Sequence, residues 1–326
     1  NMLSNKNDID EKDAFYLFET FGFPFELTQE SAIEHGLSIN FDKFNILLDE
    51  HRKKSNTGKK SETGNKIKGV DINKFVGYDS ISIETEVFHI EEVEKNSIIF
   101  TNENPFYFEA GGQISDKGSI NFSDKIIDVK NVIQSDTGST GLIIENNNLK
   151  IGDKITLNVD KSFRSSVSKS HTAAHIVHSS LRNILGEHVA QAGSHVAPGK
   201  FRFDFSHTEK VKKEELEEIF QMSNDNIYKD LSVDTNVMDI KKAKDEGALA
   251  FFGDKYDDDV RVVNIGNFSK ELCGGTHVHN SNEVGLIVLL NESSIGSNLR
   301  RIEMLSGEQA YSFMSNAYKS YKSVSE

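Results

Sequence analysis

Two short motifs in this chain carry side chains that can bind a metal ion. His171 and His175 belong to His-Thr-Ala-Ala-His, and Cys273 and His277 belong to Cys-Gly-Gly-Thr-His. Side chains four residues apart lie on one face of a helix, so both imidazoles of the first motif could face one ion. Zn²⁺ accepts imidazole nitrogen and thiolate sulfur in a tetrahedral site. The motifs therefore predict a zinc site with the ligands His171, His175, Cys273 and His277.

Each motif alone also fits a polar helix face or a turn without metal, and it is their coexistence in one chain that favours a metal site. Thr172 stands where zinc proteases carry the glutamate of His-Glu-x-x-His, which is their general base. A metal-assisted hydrolysis here would need another proton acceptor or the substrate's own groups. His178 follows His175 by three residues and could reach the metal's surroundings, although an ordinary helix histidine is the preferred interpretation.

The composition limits the class of protein. A length of 326 residues suits two or three domains, and a hydrophobic share of 37% is enough for their cores. The sequence contains no run of about 18 apolar residues, so no membrane span is expected, and residues 1–10 show no apolar signal core. Cys273 is the only cysteine, which excludes an internal disulfide and fits a reducing, cytoplasmic location.

The net charge of −14 argues against a nonspecific nucleic-acid binder, because affinity for phosphates depends on lysine and arginine. It leaves room for an RNA partner held by a local basic strip. The densest basic cluster comprises residues 51–54 together with Lys59 and Lys60. We interpret this cluster as part of a solvated linker.

The elements that must position the metal ligands lie between residues 161 and 306. A long helix is predicted over 162–185, with Gly186 beyond it. Thr208 is a candidate N-cap for a second helix, and a third is predicted over 240–252. The strands expected beside them are 233–238, 260–265, 286–290 and 299–305, with further strand segments within 189–205.

Residues 70–160 have a different sequence pattern. Short runs with strand periodicity are separated by turn residues, which indicates a small β-barrel. The predicted strands are 82–87, 119–122, 126–133, 142–144 and 155–159, and residues 102–113 are expected to form a loop over the barrel's mouth. Before this region, 1–54 reads as helices, and the Lys-, Ser- and Gly-rich stretch 55–69 reads as a flexible linker.

Longer stretches of the sequence resemble the alanyl-tRNA synthetase family. The segments that resemble its editing domain are H-T-A-A-H-I-V-H-S-S-L-R-N-I-L-G, V-A-Q-A-G-S, R-F-D-F-S-H, L-C-G-G-T-H and L-R-R-I-E. The segment P-F-Y-F-E-A-G-G-Q-I-S-D-K-G is similar to the family's preceding β-barrel domain, and F-E-T-F-G-F-P-F-E-L-T to the end of its tRNA-recognition region. The similarity runs through nearly the whole chain in the family's order.

The resemblance implies an α+β fold with a helical N-terminal stub, a small β-barrel and a mixed α/β, zinc-containing editing domain. The expected parts are the end of a tRNA-recognition domain at 1–54, a linker at 55–69, the barrel at 70–160, the editing domain at 161–306 and the start of a downstream helix at 307–326. No adenylate-forming or phosphate-cradling motif occurs in the sequence. The family's ligase domain, which joins alanine to tRNA(Ala) with ATP, is therefore expected upstream.

The activity implied by the resemblance is hydrolysis of the aminoacyl ester of Ser-tRNA(Ala) and Gly-tRNA(Ala). The implied cofactor is Zn²⁺. The implied partners are the acceptor end of tRNA(Ala), the mischarged seryl or glycyl ester and the rest of the synthetase chain.

Five residues are candidates for substrate contacts. Gln191 matches a family position in the editing pocket, and its amide could both donate to and accept from a substrate hydroxyl. Thr276 could contact substrate or only support the turn, and Gly112 belongs to a loop that either presses on the pocket or makes a tight turn. Arg300 and Arg301 could bind phosphate or the 3′-terminal nucleotides, and in a strand they would point to opposite faces.

Two alternative functions fit the same residues, namely a free-standing trans-editing deacylase and a non-catalytic tRNA-binding module stapled by structural zinc. The role of the zinc is also open. It could lower the pKa of a bound water to ~7 and polarise the ester, or it could bind the amino acid's amine or hydroxyl and leave the attack to a separate water. Four protein ligands would close the tetrahedron, whereas a catalytic zinc normally keeps one position open.

Overall fold

A computed structural model describes most of the chain from residue 67 onward. The described residues are 12–16, 28–29, 32, 39–40, 43–44, 67–145, 148–250 and 257–325. Residues 12–16, 28–29, 32 and 43–44 are helical. The rest of the helices predicted for 1–54, and most of the linker predicted for 55–69, lie outside the described residues.

The first part of the described chain is a sheet that curls on itself. Its strands and two short neighbours are β1 (Lys74–Phe75), β2 (Ser82–Val93), β3 (Asn96–Thr101), β4 (Glu103–Asn104), β5 (Gly118–Phe122), β6 (Lys125–Val129), β7 (Asn131–Gln134), β8 (Thr140–Glu145) and β9 (Lys154–Val159). The seven-stranded sheet has the order β6-β5-β9-β2-β3-β8-β7, and β1 pairs with β4 beside it. The sheet is nearly closed and barrel-like, as the spacing of short strands predicted.

The sheet closes where its two edge strands follow each other in sequence. Lys130 alone separates β6 from β7, and its backbone N–H donates to the carbonyl of Ile143 in β8 at 2.8 Å. The single strand predicted over 126–133 is therefore wrong, because the chain passes from one edge of the sheet to the other at this point. Alternate residues Ile155, Leu157 and Val159 of β9 point into the barrel core, which explains why short alternating runs form it.

The second part is built around a long helix. The helix α1 (Lys161–Leu185) begins at Asp160, whose side chain accepts from the N–H groups of Ser162 and Phe163, and ends at Gly186, as predicted. It packs on a four-stranded antiparallel sheet with the order β10-β11-β16-β15. These strands are β10 (Gln191–Ala197), β11 (Lys200–Ser206), β15 (Ile287–Gly296) and β16 (Leu299–Ser306). The buried rings of Phe201, Phe203 and Phe205 belong to the core cluster that also includes Ile176 and Val177 of α1.

A separate three-stranded sheet of β12 (Val233–Asp239), β13 (Asp259–Ile265) and β14 (Ser269–Leu272) completes the core around α1. The remaining helices are α2 (Lys213–Tyr228), α3 (Ile240–Asp245), a 3₁₀ turn (Ser281–Val284) and α4 (Gly307–Ser325). No helix among the described residues is long and apolar enough to cross a membrane.

Two predicted helix bounds are wrong for local reasons. The helix expected to begin at Thr208 begins at Lys213, because Glu215 accepts from the backbone N–H of Lys212 at 2.8 Å and caps the helix there. The helix expected over 240–252 ends at Asp245. Leu249 instead donates its backbone N–H to Lys270 and joins the edge of β14.

Candidate metal centre

The four predicted metal ligands lie together in the fold. The ligand atoms of His171, His175, Cys273 and His277 are all within 4.8 Å of one another. Cys273 Sγ is 3.4 Å from the Nε2 atoms of both His171 and His277. Side chains of His171, His175 and Cys273 are at most 8% exposed. A cluster of this composition and compactness can hold a metal ion.

Two elements bring the ligands together. The helix α1 presents His171 and His175 one turn apart. The Cys-Gly-Gly-Thr-His segment, residues 273–277, follows directly after β14, and we call it the thiolate loop. The loop lies against the helix so closely that a Cβ atom on Gly275 would be 2.0 Å from His171 Cε1. Glycine is therefore required at position 275, because a side chain there would push the thiolate loop away from the helix.

All three imidazoles have an oxygen beside the ring nitrogen that faces away from the cluster. Nδ1 of His171 is 2.7 Å from Gln113 Oε1, and Nδ1 of His277 is 3.1 Å from Thr172 Oγ1. Nδ1 of His175 lies 3.4 Å from a carboxylate oxygen of Glu271. For His171 and His277, an Nδ1–H directed at these oxygens leaves Nε2 unprotonated for a metal, which is the usual arrangement around protein-bound zinc. Nδ1 of His175 lies beside the carboxylate without hydrogen-bond geometry.

The electrostatics of the cluster differ from ligand to ligand. Burial alone would lower the pKa of His175, but the carboxylate of Glu271 and the thiolate of Cys273 raise it to about 9. Burial alone would raise the pKa of the Cys273 thiol, but the imidazoles of His171, His175 and His277 hold it well below its usual value. Burial and the neighbouring His171 lower the pKa of His277 to about 3. A thiolate and a neutral imidazole are the ligand forms that Zn²⁺ takes, so the donor set fits zinc.

The barrel reaches into the cluster through Gln113, which is fully buried. Besides its contact with His171, its Oε1 accepts from Thr276 N at 2.9 Å, and its Nε2 donates to Thr276 Oγ1 at 3.0 Å. Sequence reasoning placed this loop over the barrel and missed Gln113 as a site residue. The Ala-Gly-Gly-Gln run was the signal that could have identified it.

The Gly-Gly-Gln loop approaches the metal centre by joining the edge of β10. Val196 N donates to Gly112 O at 2.7 Å, and Ile114 N donates to Val196 O at 3.2 Å. A Cβ atom on Gly112 would lie 2.2 Å from Ser194 Oγ, so the backbone here approaches too closely for any side chain. Gly112 lies in a tight turn closed by hydrogen bonds between Ala110 and Gln113, and this turn also contacts β10, so the two interpretations of Gly112 are compatible.

Two further residues that the sequence did not single out hold the thiolate loop from outside. Arg261 donates from Nη1 to the carbonyls of Cys273, at 2.8 Å, and Gly275, at 2.9 Å. Tyr78 of the barrel donates its hydroxyl to Gly274 O at 2.6 Å, and its ring stacks under the Arg261 guanidinium at 4.1 Å. The loop conformation is thus fixed from two sides.

A small cavity opens beside the cluster. Its volume is about 10 Å³, which has room for about one water molecule. Among its lining residues are Gly111, His171, His175, Gln191, Ser194 and Glu271. Gln191 Nε2 donates to Ser194 Oγ at 3.2 Å, so the amide is at the cavity and already engaged with a hydroxyl.

The other candidate contact residues have partners of their own. Thr276 Oγ1 accepts from Ser168 as well as from Gln113. Arg300 donates to Glu292 at 2.5 Å, and Arg301 forms a two-pronged pair with Asp204 at 2.7 and 2.8 Å. Both arginines lie in β16 as neighbours, so they point to opposite faces of the sheet, as a strand requires.

Comparison with known proteins gives two matching family models. The model described as "tRNA synthetases class II (A)" matches residues 1–163, and that described as "Threonyl and Alanyl tRNA synthetase second additional domain" matches residues 260–303. The second match covers nearly all of β13, all of β14, the thiolate loop and β15, and most of β16.

Curated relatives named alanine--tRNA ligase match nearly the full chain. The protein of Geobacillus thermodenitrificans is 40% identical over 321 residues, covering 93% of this chain and 37% of the relative. The Listeria monocytogenes serotype 4b protein is 38% identical, covering 98% and 38%. The Staphylococcus aureus protein is 33% identical with the same coverage. The chain therefore spans a little over a third of the length of these relatives.

Proposed function

The chain belongs to the alanyl-tRNA synthetase family, and from that premise we propose that its metal centre hydrolyses mischarged tRNA(Ala). The substrates are the seryl and glycyl esters at the 3′ end of tRNA(Ala), and the products are the free amino acid and uncharged tRNA. The observation that carries this proposal is a buried cluster of three imidazoles and a thiolate with Gln191 beside it on the same small cavity.

An enzyme that selects alanine needs a second, hydrolytic site. A pocket shaped for a methyl group cannot strongly reject glycine, which is smaller. It also rejects serine poorly, because an added hydroxyl is worth only about 10²-fold in discrimination. A hydrolytic site that recognises what the first pocket admitted removes both errors. The cavity beside the cluster, with Gln191 among its lining residues, is where we place the side chain of the mischarged ester.

Different residues of the chain would bind the ion and recognise the substrate. His171, His175, Cys273 and His277 would hold the ion, which when bound supplies Lewis acidity and a fixed positive charge next to the ester. Four protein ligands favour a positioning role for that charge over an open catalytic position. Gln191 would exchange its hydrogen bond with Ser194 for one with the serine hydroxyl of the substrate.

The wider architecture supports the same proposal. The barrel at 70–160 would act as a support for the editing domain at 161–306, because Gln113 and Tyr78 reach from it into the metal centre. In the full-length enzyme, we place this part downstream of a ligase that joins alanine to tRNA(Ala) with ATP. We expect a cytoplasmic protein whose affinity for tRNA comes largely from elsewhere in the enzyme, since this part carries a net charge of −14.

Deacylation of preformed Ser-tRNA(Ala), Gly-tRNA(Ala) and Ala-tRNA(Ala) by the purified chain tests the proposal. We expect release of serine and glycine, slow release of alanine, and no hydrolysis by Cys273→Ala. Lys213→Arg, at an exposed position of α2, should behave like the wild type. If the seryl ester survives a large excess of folded chain that binds tRNA, the function is that of a non-catalytic tRNA-binding module.

A further inference from the structure

One buried carboxylate extends the metal-binding pattern beyond the four ligands. In the run Ser269-Lys-Glu271-Leu-Cys273, alternate residues of the strand share a face, so Glu271 points the same way as the thiolate. The pairing with β13 continues through Cys273, whose N–H donates to Arg261 O at 3.0 Å. Across from this face, α1 carries His175 and then His178. The thiolate and the carboxylate therefore meet successive turns of one helix.

Among the described residues, the polar partners of the Glu271 side chain lie on α1 and β14. Its side chain is 1% exposed. One carboxylate oxygen lies 3.4 Å from Nδ1 of the ligand His175, and the other lies 3.2 Å from Nδ1 of His178 and accepts from Ser269 Oγ at 3.0 Å. Within the described residues, its ion-pair partners are these two imidazoles, with no lysine or arginine.

A buried anion is costly unless opposite charge lies nearby. Zn²⁺ and the Cys273 thiolate together leave one net positive charge in the interior, since the imidazole ligands are neutral. The carboxylate of Glu271, two residues before Cys273 on the same face of the strand, supplies the one negative charge that balances it. The centre with metal bound is then electrically neutral, and neither the ion nor the carboxylate is left uncompensated.

We propose that Glu271 is a positioning residue of the metal centre, holding His175 with its Nδ1–H outward and its Nε2 toward the ion while balancing the ion's charge. This inference rests on the proposed metal centre. Part of the metal affinity then comes from a residue that is not one of the four ligands. The buried His178 lies beside the other oxygen of the same carboxylate and helps to hold it in place.

The test is the zinc dissociation constant of the 326-residue chain, measured by competition with a chromophoric chelator. Glu271→Gln keeps the size of the side chain and removes its charge. The matched control is Glu303→Gln, because Glu303 pairs with Lys200 away from the cluster at 3.2 Å. Loss of an outer partner of a metal-binding histidine typically weakens affinity about 10- to 100-fold. We expect that loss for Glu271→Gln and wild-type affinity for Glu303→Gln.

Two additional measurements separate positioning from a general role in folding. The absorption bands of the Co²⁺-loaded chain should shift in Glu271→Gln, because His175 is no longer held, whereas the control should keep the wild-type spectrum. Glu271→Asp retains the charge but withdraws the oxygen from His175, and it serves if Glu271→Gln does not fold. We expect an affinity loss for Glu271→Asp that is smaller than for Glu271→Gln.

Wild-type affinity and an unchanged Co²⁺ spectrum in Glu271→Gln, or in Glu271→Asp where that is the folded variant, would overturn the assignment and leave the proposed metal centre standing. A wild-type chain that binds neither zinc nor cobalt would overturn both. The two failures are therefore distinguishable in one experiment.

Discussion

Cys273 is the residue on which the proposed metal centre should depend most directly, because it supplies the cluster's only sulfur. Purified without chelator, the wild-type chain should contain about one zinc ion per molecule, and Cys273→Ala should contain almost none, since binding requires the deprotonated ligand set. Elemental analysis of the purified proteins measures this. His279→Ala changes an exposed histidine two positions beyond the ligand His277 and should keep its zinc. Zinc-free wild-type protein would contradict the prediction.

Gln191 is the residue that should control selectivity. Gln191→Leu leaves the substrate's serine hydroxyl unpaired, which costs roughly 1–3 kcal/mol, or about 5- to 150-fold in rate. The loss should be larger for Ser-tRNA(Ala) than for Gly-tRNA(Ala), which has no hydroxyl, and zinc content should not change. Gln221→Leu, at an exposed position of α2, is the matched control.

Equal losses on the two esters in Gln191→Leu would show that the amide orients the ester or the attacking water. No loss on either would mean that Gln191 is only a polar strand residue.

The four ligands could be identified from the sequence because each pair is local, with its spacing visible in five residues. Gln113 had a local signal in the Ala-Gly-Gly-Gln run, but its partner could not be read from the sequence, because His171 is 58 residues away and the contact depends on how the barrel packs against α1. Glu271 had a local signal, the alternation of serine, glutamate and cysteine in 269–273. It went unused because the strand Ser269–Leu272 was itself not predicted.

At the scale of elements, the barrel loop that carries Gln113 should contribute to zinc affinity although it supplies no metal ligand. Gln113→Leu removes the acceptor for His171 Nδ1 and both contacts to Thr276. Zinc affinity should fall about 10- to 100-fold, as for other outer partners of metal-binding histidines. Chelator competition measures the change. Gln134→Leu, at an exposed position of the same barrel, should leave the affinity unaltered, and an equal loss in both variants would point to damage to the barrel.

Elements with a strong internal pattern were predicted well, and those decided by neighbours were not. The helix α1 has a side-chain cap at Asp160 and a glycine beyond its end, so both bounds were readable. The run 126–133 is uniformly strand-like, and nothing local marks Lys130 as the point where it changes partners. The helix α3 is shorter than predicted because Leu249 pairs with Glu271 of β14, a contact that only the tertiary structure determines.

At the scale of the whole molecule, a buried ion pair joins the barrel to the second part of the chain, which is built around α1. Arg164 of α1 contacts Asp116 of the barrel, with Nε 2.9 Å from Oδ1, and also donates to the carbonyls of Gly77 and Pro105. Asp116 Oδ2 accepts from Tyr107 N at 2.6 Å as well. The pair is 8% and 1% exposed, so neither charge can be left alone without a large cost.

Arg164→Met should lower the free energy of unfolding by about 3–5 kcal/mol, because it leaves the Asp116 carboxylate buried without an opposite charge. Urea denaturation followed by circular dichroism measures the loss. Lys200→Met breaks an exposed pair with Glu303 and should cost no more than about 1 kcal/mol. If the two variants lose equal stability, the buried pair contributes no more to the free energy of unfolding than the exposed pair does.

The separation of the ligands along the chain has a consequence for how the protein is made. Cys273 lies 102 residues after His171. At about 5–20 residues per second on the ribosome, the helix bearing two histidines waits roughly 5–20 s before the thiolate emerges. The barrel that supplies Gln113 is complete before either. At that stage the nascent chain contains the complete barrel and two of the four metal ligands. The full ligand set forms only late in synthesis, when the thiolate loop packs against α1 and the barrel.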